Sequence, residues 1–182
     1  MDFELTKAQK DIQKAAFEFA KGEFDKELAL ELEEKHEFPT AIWKKACEEG
    51  FVGLHFPEEY GGSDMGYVAH VIAMEEISRA SAGIGLSYGA HSNLCVNQLY
   101  INGSEAQKEK YLPKLASGEW CGAYCLTESG AGTDALNAKT KAVLSEDWKY
   151  YILNGEKMFI TNAGYASSFI VYAKVDGENF TG

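Results

Sequence analysis

The sequence predicts an α+β protein in which an N-terminal all-α helical bundle precedes an antiparallel β domain. Two observations favour this order. Up to about residue 118, apolar residues recur three and four positions apart, the spacing of one face of an amphipathic helix. After Gly118 the chain changes to short runs rich in aromatic and β-branched residues, which are typical of strands. We therefore place a helical domain at residues 1–118 and the first part of a β domain at residues 119–182.

Capping residues mark the predicted helices near the N-terminus. Thr6 and Gln9 have capping-box spacing, and the apolar residues after them predict a helix that runs to about Gly22. A second helix is predicted over residues 40–49, with a proline before it and a glycine after it. The stretch FPEEYGG that follows is rich in turn residues and is expected to form a loop.

Further helices are predicted between that loop and the β domain. The apolar spacing is helical over residues 66–79, and a run of small residues, ASAGIGLSYGAHSN, leads into another helix. Ser104 and Gln107 repeat the capping-box spacing ahead of a last helix. Pro113 lies within this helix, and we expect it to kink or shorten the helix because proline lacks a backbone N–H.

Strands are predicted in the second domain from three segments. EWCGAYCLT and SFIVYAKV both have the apolar and aromatic character of strands. Between them, WKYYILNGEKMFIT contains two β-rich runs around Asn154 and Gly155. Because Asn-Gly is the residue pair most typical of a two-residue turn, the sequence predicts a hairpin centred on these two residues.

Charge and composition exclude several classes of partner. The chain has 17 Lys and Arg against 28 Asp and Glu, a formal net charge of −11, which disfavours nucleic acid and anionic membrane surfaces. No apolar run approaches the ~20 residues of a membrane span, and the N-terminus is too acidic for a signal peptide. The four cysteines lack zinc-ligand spacing and are interpreted as reduced and structural, with no metal site. We expect a soluble cytoplasmic protein.

The segment YCLTESGAGTD, residues 124–134, raises the main functional question, because two glycines follow closely on an apolar run. Gly130, Gly132 and Ala135 fit the dinucleotide-binding pattern G-x-G-x-x-A, and Glu156 lies where such a fold keeps its ribose-binding acid. A dinucleotide fold, however, needs a crossover helix for which the following residues leave little room. A plain turn and a phosphate-binding turn both stay open.

Two threonines and an aromatic residue shift the balance towards ligand binding. Thr127 and Thr161 each end an apolar β run, and Phe159 lies two residues before the second threonine. A planar ring system could therefore meet an aromatic face and hydroxyl donors together, while the backbone N–H groups of the glycine turn hold a phosphate. A flat, phosphorylated, redox-active cofactor fits these residues.

The same segments resemble the acyl-CoA dehydrogenase family of flavoproteins along nearly the entire chain. YCLTESGAGTDALNAKTKA and YYILNGEKMFITNAG look like its two central flavin-binding segments. PEEYGG and NGSEAQKEKYLPKLASGE resemble its inter-helix loop and its lead-in to the β domain. The stretch IGLSYGAHSNLCVNQLYINGSEAQKEKYLPKL is most similar to isovaleryl and other short or branched-chain members.

The resemblance implies three domains, namely a helical bundle, a β barrel and a second helical bundle. We expect this chain to be the N-terminal portion, with an incomplete barrel and without the C-terminal helical domain. The implied reaction is α,β-desaturation of an acyl-CoA, with FAD as cofactor and an electron-transferring flavoprotein as electron acceptor. Relatives of this kind are usually homotetramers. An acyl-CoA oxidase or flavin monooxygenase on the same scaffold, and a non-catalytic fragment or interaction module, are the alternatives.

The resemblance also implies a set of site residues. The positions that match its flavin contacts are Tyr124, Leu126, Thr127, Gly132, Thr133, Phe159, Ile160 and Thr161. Thr161 would lie beside flavin N5, and Thr133 would also touch the CoA portion of the substrate. Tyr88 and Ser87 would line the acyl pocket. Phe159 stands where many members have tryptophan, and Ser129 stands where many have proline.

No residue of this chain matches the family's catalytic glutamate, which the resemblance places in the C-terminal domain. Glu128 is expected to form local hydrogen bonds in the glycine turn, and Asp134 is expected to be a cap or turn residue. Glu75 and Glu76 are interpreted as a solvated helix face with one interhelix contact. His91, a lone histidine among small residues in a helix, is interpreted as structural.

Overall fold

The computed structural model describes residues 4–177 and 179–182. Its first part is helical, as predicted. The helical elements are α1 (Lys7–Glu23), α2 (Lys26–Lys35), α3 (Thr40–Glu48), α4 (Gly66–Ala80), α5 (Ala82–Gly89), a π-helical segment (Ala90–Val96), α6 (Asn97–Asn102) and α7 (Glu105–Ala116). Within these described residues, no helix is both long enough and apolar enough to span a bilayer.

The predicted helix starts are confirmed by their capping contacts. Thr6 and Ser104 each form a capping box, in which the cap hydroxyl accepts from the backbone N–H of the third helical residue and that residue's glutamine side chain returns the contact. Pro113 lies inside α7, yet the helix continues to Ala116. Leu112 and Leu115 are fully buried on the inner face of α7, and their packing holds the last turn beyond the proline.

Helix α2 was not among the predicted helices. Asp25 caps it by accepting from the N–H of Glu27. Its leucines at positions 28, 30 and 32 alternate rather than recurring at helical intervals, and none of its residues is buried. An unburied helix of this kind leaves a weak periodic signal, because helical spacing of apolar residues arises from packing against a core.

Small residues bring α1 and α4 close together at the centre of the helical part. Ala16, Ala20, Ala69 and Ala73 are all buried. Around them one apolar cluster includes Trp43, Phe51 and Tyr88, and a second cluster lies under α7. The contact between α1 and α4 is completed by the amide of Gln13, which donates to the buried carboxylate of Glu76 at 3.1 Å.

Six strands form two small sheets in the second part. They are β1 (Gly122–Cys125), β2 (Lys141–Leu144), β3 (Tyr151–Asn154), β4 (Ser168–Val171), β5 (Ala173–Val175) and β6 (Asn179–Thr181), as counted in the residues that the structure describes. Strand β1 pairs with β4, and the other sheet has the order β3-β2-β5-β6. The β1-β4 and β2-β5 pairs are parallel, whereas β2-β3 and β5-β6 are antiparallel. The α+β class is therefore confirmed, with mixed rather than wholly antiparallel sheets.

The hairpin predicted at Asn154 and Gly155 is wrong. Strand β3 ends at Asn154, and residues 155–160 belong to no strand. The turn that joins β2 to β3 lies earlier, where the Ser145 N–H donates to the Tyr150 carbonyl at 2.8 Å. Gly155 is needed for a close approach instead, since a Cβ there would lie 2.3 Å from the Thr140 hydroxyl.

Candidate functional site

The glycine turn follows directly on β1 and is closed by its own backbone. Glu128 and Ala131 exchange two main-chain hydrogen bonds, of 3.2 and 3.1 Å. Beyond this bridge, Gly132 and Thr133 are exposed, and a short 3-10 turn at Ala135–Asn137 continues the chain. A cavity of about 600 Å³ opens against the turn, lined on its other side by residues of β2 and the end of β3.

Glu128 holds this turn in place, which confirms the expected local role. Its carboxylate accepts from the N–H groups of Lys139 and Thr140, from the Thr140 hydroxyl and from the Lys157 ammonium. Burial alone would raise the pKa of Glu128, but these hydrogen bonds favour the charged form and lower the pKa to about 2. A carboxylate so tightly bound does not serve as a proton-accepting base at neutral pH.

After β3, the second predicted segment is joined to the first by three further contacts among the described residues. The N–H of Met158 donates to the Thr127 carbonyl at 2.9 Å. The Lys157 ammonium donates to the Leu126 carbonyl and to the Glu128 carboxylate, both at 2.9 Å. Because residues 155–160 belong to no strand, these contacts hold this part of the second segment beside the first.

The aromatic residue of the second segment is presented to solvent. Phe159 has positive φ, 58°, and its side chain is 86% exposed. Ile160 and Thr161, the next residues, are partly buried, as are Leu126 and Thr127 of the first segment. An exposed ring beside hydroxyl-bearing residues and a backbone turn fits the binding of a flat ligand that carries a phosphate.

Tyr124 lies one strand position before Cys125 in β1, and its environment is partly buried. Its ring packs edge-on against Tyr172, with centroids 5.2 Å apart. Burial, followed by the hydrogen bond and charge of Tyr172, raises the pKa of Tyr124 to about 12. Tyr124 is thus a neutral aromatic residue at the start of the first segment.

The two residues expected to line an acyl pocket lie in different environments. Tyr88 is 1% exposed; its hydroxyl donates to the Phe51 carbonyl at 2.7 Å and lies 3.0 Å from His70 Nδ1. Burial raises the pKa of Tyr88. Ser87 is half-buried and lines a cavity of about 380 Å³ between α2, α3 and α5. Tyr88 is therefore a core residue in this chain, while pocket lining by Ser87 stays a prediction.

His91 is structural, as expected. It is fully buried; its Nε2 donates to the Leu115 carbonyl at 2.9 Å and its Nδ1 accepts from the Gly122 N–H at 2.9 Å. This pattern requires the neutral ring, and burial lowers its pKa to about 4. His91 thereby connects α7 to the first residue of β1.

Two residues of the site were not predicted, Lys157 and Asn162. Lys157 directly precedes the apolar run MFI, residues 158–160, and Asn162 directly follows Thr161. The available signal for Lys157 was a lysine at the edge of a run predicted to be a strand. Asp134, by contrast, is a turn residue as expected, since its carbonyl accepts from the Asn137 N–H at 3.1 Å. Glu75 is exposed and pairs with Arg79, also as expected.

The two-part fold and the two joined segments are those of known enzyme domains. The description "Acyl-CoA dehydrogenase, N-terminal domain" matches residues 6–119, and "Acyl-CoA dehydrogenase, middle domain" matches residues 123–182. The chain belongs to the acyl-CoA dehydrogenase family.

Individual relatives agree with this assignment. The chain is 53% identical over 150 residues to a mitochondrial isovaleryl-CoA dehydrogenase of Pongo abelii, covering 81% of this chain and 35% of that protein. A crystal structure of an acyl-CoA dehydrogenase complexed with FAD from Bacillus anthracis matches with a TM-score of 0.91 at 44% identity, over 97% of this chain and 30% of that chain. PigA with FAD and proline matches with a TM-score of 0.87 at 37% identity, over 99% of this chain and 47% of that chain. The chain therefore spans less than half the length of these relatives.

Proposed function

We propose that the whole protein is an FAD-dependent acyl-CoA dehydrogenase that desaturates a short or branched-chain acyl-CoA between Cα and Cβ. In this reaction a base removes the α-proton and the β-hydrogen leaves with its electron pair as hydride. When bound, FAD supplies the hydride acceptor, flavin N5, and passes the electrons on to an electron-transferring flavoprotein. The identity to an isovaleryl-CoA dehydrogenase supports the branched-chain assignment. Cytoplasmic localisation and a homotetramer stay predictions.

The observation that carries this proposal is the hydrogen bond between Met158 N and the Thr127 carbonyl. It places the second segment, with Phe159 and Thr161, directly beside the first. The residues that would hold FAD are Tyr124, Leu126, Thr127, Gly132, Thr133, Phe159, Ile160 and Thr161. Thr161 would donate to the ring, where a hydroxyl stabilises negative charge on the reduced flavin. Thr133 and Ser87 are proposed to contact the substrate.

We infer that the base lies in another part of the whole protein, because the two buried carboxylates among the described residues are already engaged. Glu128 is committed to its four donors, and Glu76 is buried beneath α1. The role proposed for this chain is therefore to bind and orient FAD and one wall of the substrate site. Positioning of this kind is a large part of catalysis, because the reacting atoms must be held about 3–3.5 Å apart.

Replacing Phe159 with leucine in the whole protein is expected to weaken FAD binding about tenfold, because it removes the aromatic face but keeps an apolar side chain. Titration of FAD fluorescence measures the dissociation constant. The matched control is Phe17→Leu, which makes the same change at another exposed phenylalanine, in α1. Equal FAD affinity of Phe159→Leu and the parent protein would contradict the proposed ring contact.

A second candidate function is supported by PigA, which is described with FAD and proline and matches this fold: a flavin enzyme with another substrate. An oxidase or monooxygenase on the same scaffold is a further alternative. Rapid reoxidation of the reduced whole protein by air, followed by stopped-flow absorbance, would favour an oxidase or monooxygenase. The 182-residue chain by itself is proposed to be inactive, and desaturation of isovaleryl-CoA by it would contradict that.

A further inference from the structure

The residue that follows Thr161 forms a junction between three parts of the fold. Asn162 is 5% exposed, and its side-chain Nδ2 donates to the Ser87 carbonyl of α5 at 2.9 Å. The same Nδ2 donates to the Gly122 carbonyl, at the start of β1, at 3.2 Å. One amide group therefore connects the second flavin segment to the start of β1, the strand that leads into the first flavin segment, and to the helix that carries the candidate substrate residue.

The backbone of Asn162 also has a defined conformation and hydrogen-bond partners. Its φ is 71°, in the left-handed region that asparagine tolerates better than most residues. Its carbonyl accepts from the N–H groups of Tyr165 and Ala166, at 3.0 and 2.8 Å, in the turn that leads to β4. Because β4 pairs with β1, the turn at Asn162 fixes where the second segment ends relative to the first.

The orientation of the amide follows from its surroundings. Nδ2 faces two carbonyl oxygens, so the reverse orientation would set the side-chain oxygen against both of them. Oδ1 is buried and has no hydrogen-bond partner among the residues that the structure describes. An unpartnered buried acceptor costs stability. The cost of the unpartnered Oδ1 offsets part of the stability that the two hydrogen bonds of Nδ2 contribute. We therefore look for the role of Asn162 in the geometry of the site.

We propose that Asn162 is the positioning residue that fixes the Thr161 hydroxyl relative to β1 and α5. This inference rests on the proposed function, since Thr161 is the hydroxyl assigned to the flavin ring. Both hydrogen bonds of the Asn162 amide are made to protein carbonyls, those of Ser87 and Gly122. It acts through the adjoining residue and through the Ser87 carbonyl, and so couples the flavin side of the site to the substrate side.

The first test needs no cofactor and uses amide hydrogen exchange of the 182-residue chain. Asn162→Gly keeps the left-handed backbone and removes the amide. We expect exchange at Met158 and Ala163 to become about tenfold faster, as the loss of two hydrogen bonds implies, with exchange in α1 unchanged. Asp64→Gly, at another left-handed residue, is the control. Unchanged exchange at Met158 and Ala163, or equal acceleration along the whole chain, would overturn the proposal.

The second test measures the FAD dissociation constant of the whole protein in a double-mutant cycle. If Asn162 acts through Thr161, Asn162→Gly weakens FAD binding by about tenfold in the parent and by less than about twofold in the Thr161→Ala background. A purely structural role gives equal factors in both backgrounds and overturns the proposal. Asn162→Ser, which removes the amide without burying a charge, is expected to reproduce the loss if the glycine variant does not fold. A parent that binds no FAD refutes the proposed function, and the exchange test then decides on Asn162.

Discussion

Replacing Lys157 with methionine is expected to lower the free energy of unfolding by about 3 kcal/mol, because it leaves the Glu128 carboxylate buried without its cation. The two side chains are only 11% and 8% exposed and lie 2.9 Å apart. The expected loss is at the lower end for such a change, since Lys139 and Thr140 still donate to Glu128. The same substitution removes the donor to the Leu126 carbonyl, so the Met158 N–H is the donor that still joins residues 155–160 to the first segment among the described contacts.

Urea denaturation measures this loss, and two variants make the result specific. Lys149→Met removes a lysine that is 78% exposed and pairs with Asp147, and it is expected to change stability by less than about 0.5 kcal/mol. The double variant Lys157→Met with Glu128→Gln removes both charges and is expected to recover part of the loss. Equal stability of Lys157→Met and Lys149→Met would show that the Lys157 contacts do not hold the segments together.

The features that the sequence predicted correctly depend on residues close together in the chain. A capping box needs a threonine or serine and a glutamine three positions later, and both Thr6 and Ser104 meet that condition. The same holds for the strand in EWCGAYCLT, which became β1. The resemblance to flavin-binding segments was also readable, because each segment is a continuous run of residues.

The features that the sequence did not predict depend on distant contacts. Asn154 and Gly155 have the local chemistry of a hairpin turn, but the close approach of Gly155 to Thr140 and the Lys157 contacts to Leu126 and Glu128 direct the chain elsewhere. The contacts of Asn162 span 75 and 40 positions. No spacing rule within one segment reveals such pairs, since they arise only when β1, α5 and the second segment are brought together.

Lowering the pH from 7 to 5 is expected to reduce the free energy of unfolding by about 5 kcal/mol through three buried histidines. Burial lowers the pKa of His55 to about 3, with a further contribution from nearby His70 and His91, and burial lowers the pKa of His70 and His91 to about 4. The unfolded chain takes up protons near the ordinary value of 6.5, whereas the folded chain does not. Stability is therefore fully present above pH 6.5 and is lost as the pH falls below it.

Glu128 acts in the same direction but in a lower pH range. Its pKa is depressed to about 2 in the folded chain, so its contribution is lost only as the pH falls below the ordinary value of 4.5. Urea denaturation at pH 7 and at pH 5 thus isolates the histidines from this carboxylate. A free energy of unfolding that is the same at both pH values would contradict the assignment of neutral buried rings.

The variant His55→Phe measures how much of the pH dependence of stability comes from the His55 ring. Both nitrogens of His55 are buried without a hydrogen-bond partner among the described residues, and the ring packs against Phe56 and His70. Phenylalanine therefore replaces its packing, and we expect equal or greater stability at pH 7 with about one third less loss at pH 5. His91→Phe removes one titrating group as well, but it also breaks the contacts to Leu115 and Gly122 and is expected to be less stable at both pH values. Replacing a histidine with phenylalanine removes hydrogen bonds only if the ring nitrogens form them. Equal destabilisation of His55→Phe and His91→Phe at pH 7 would therefore contradict the unpartnered nitrogens of His55.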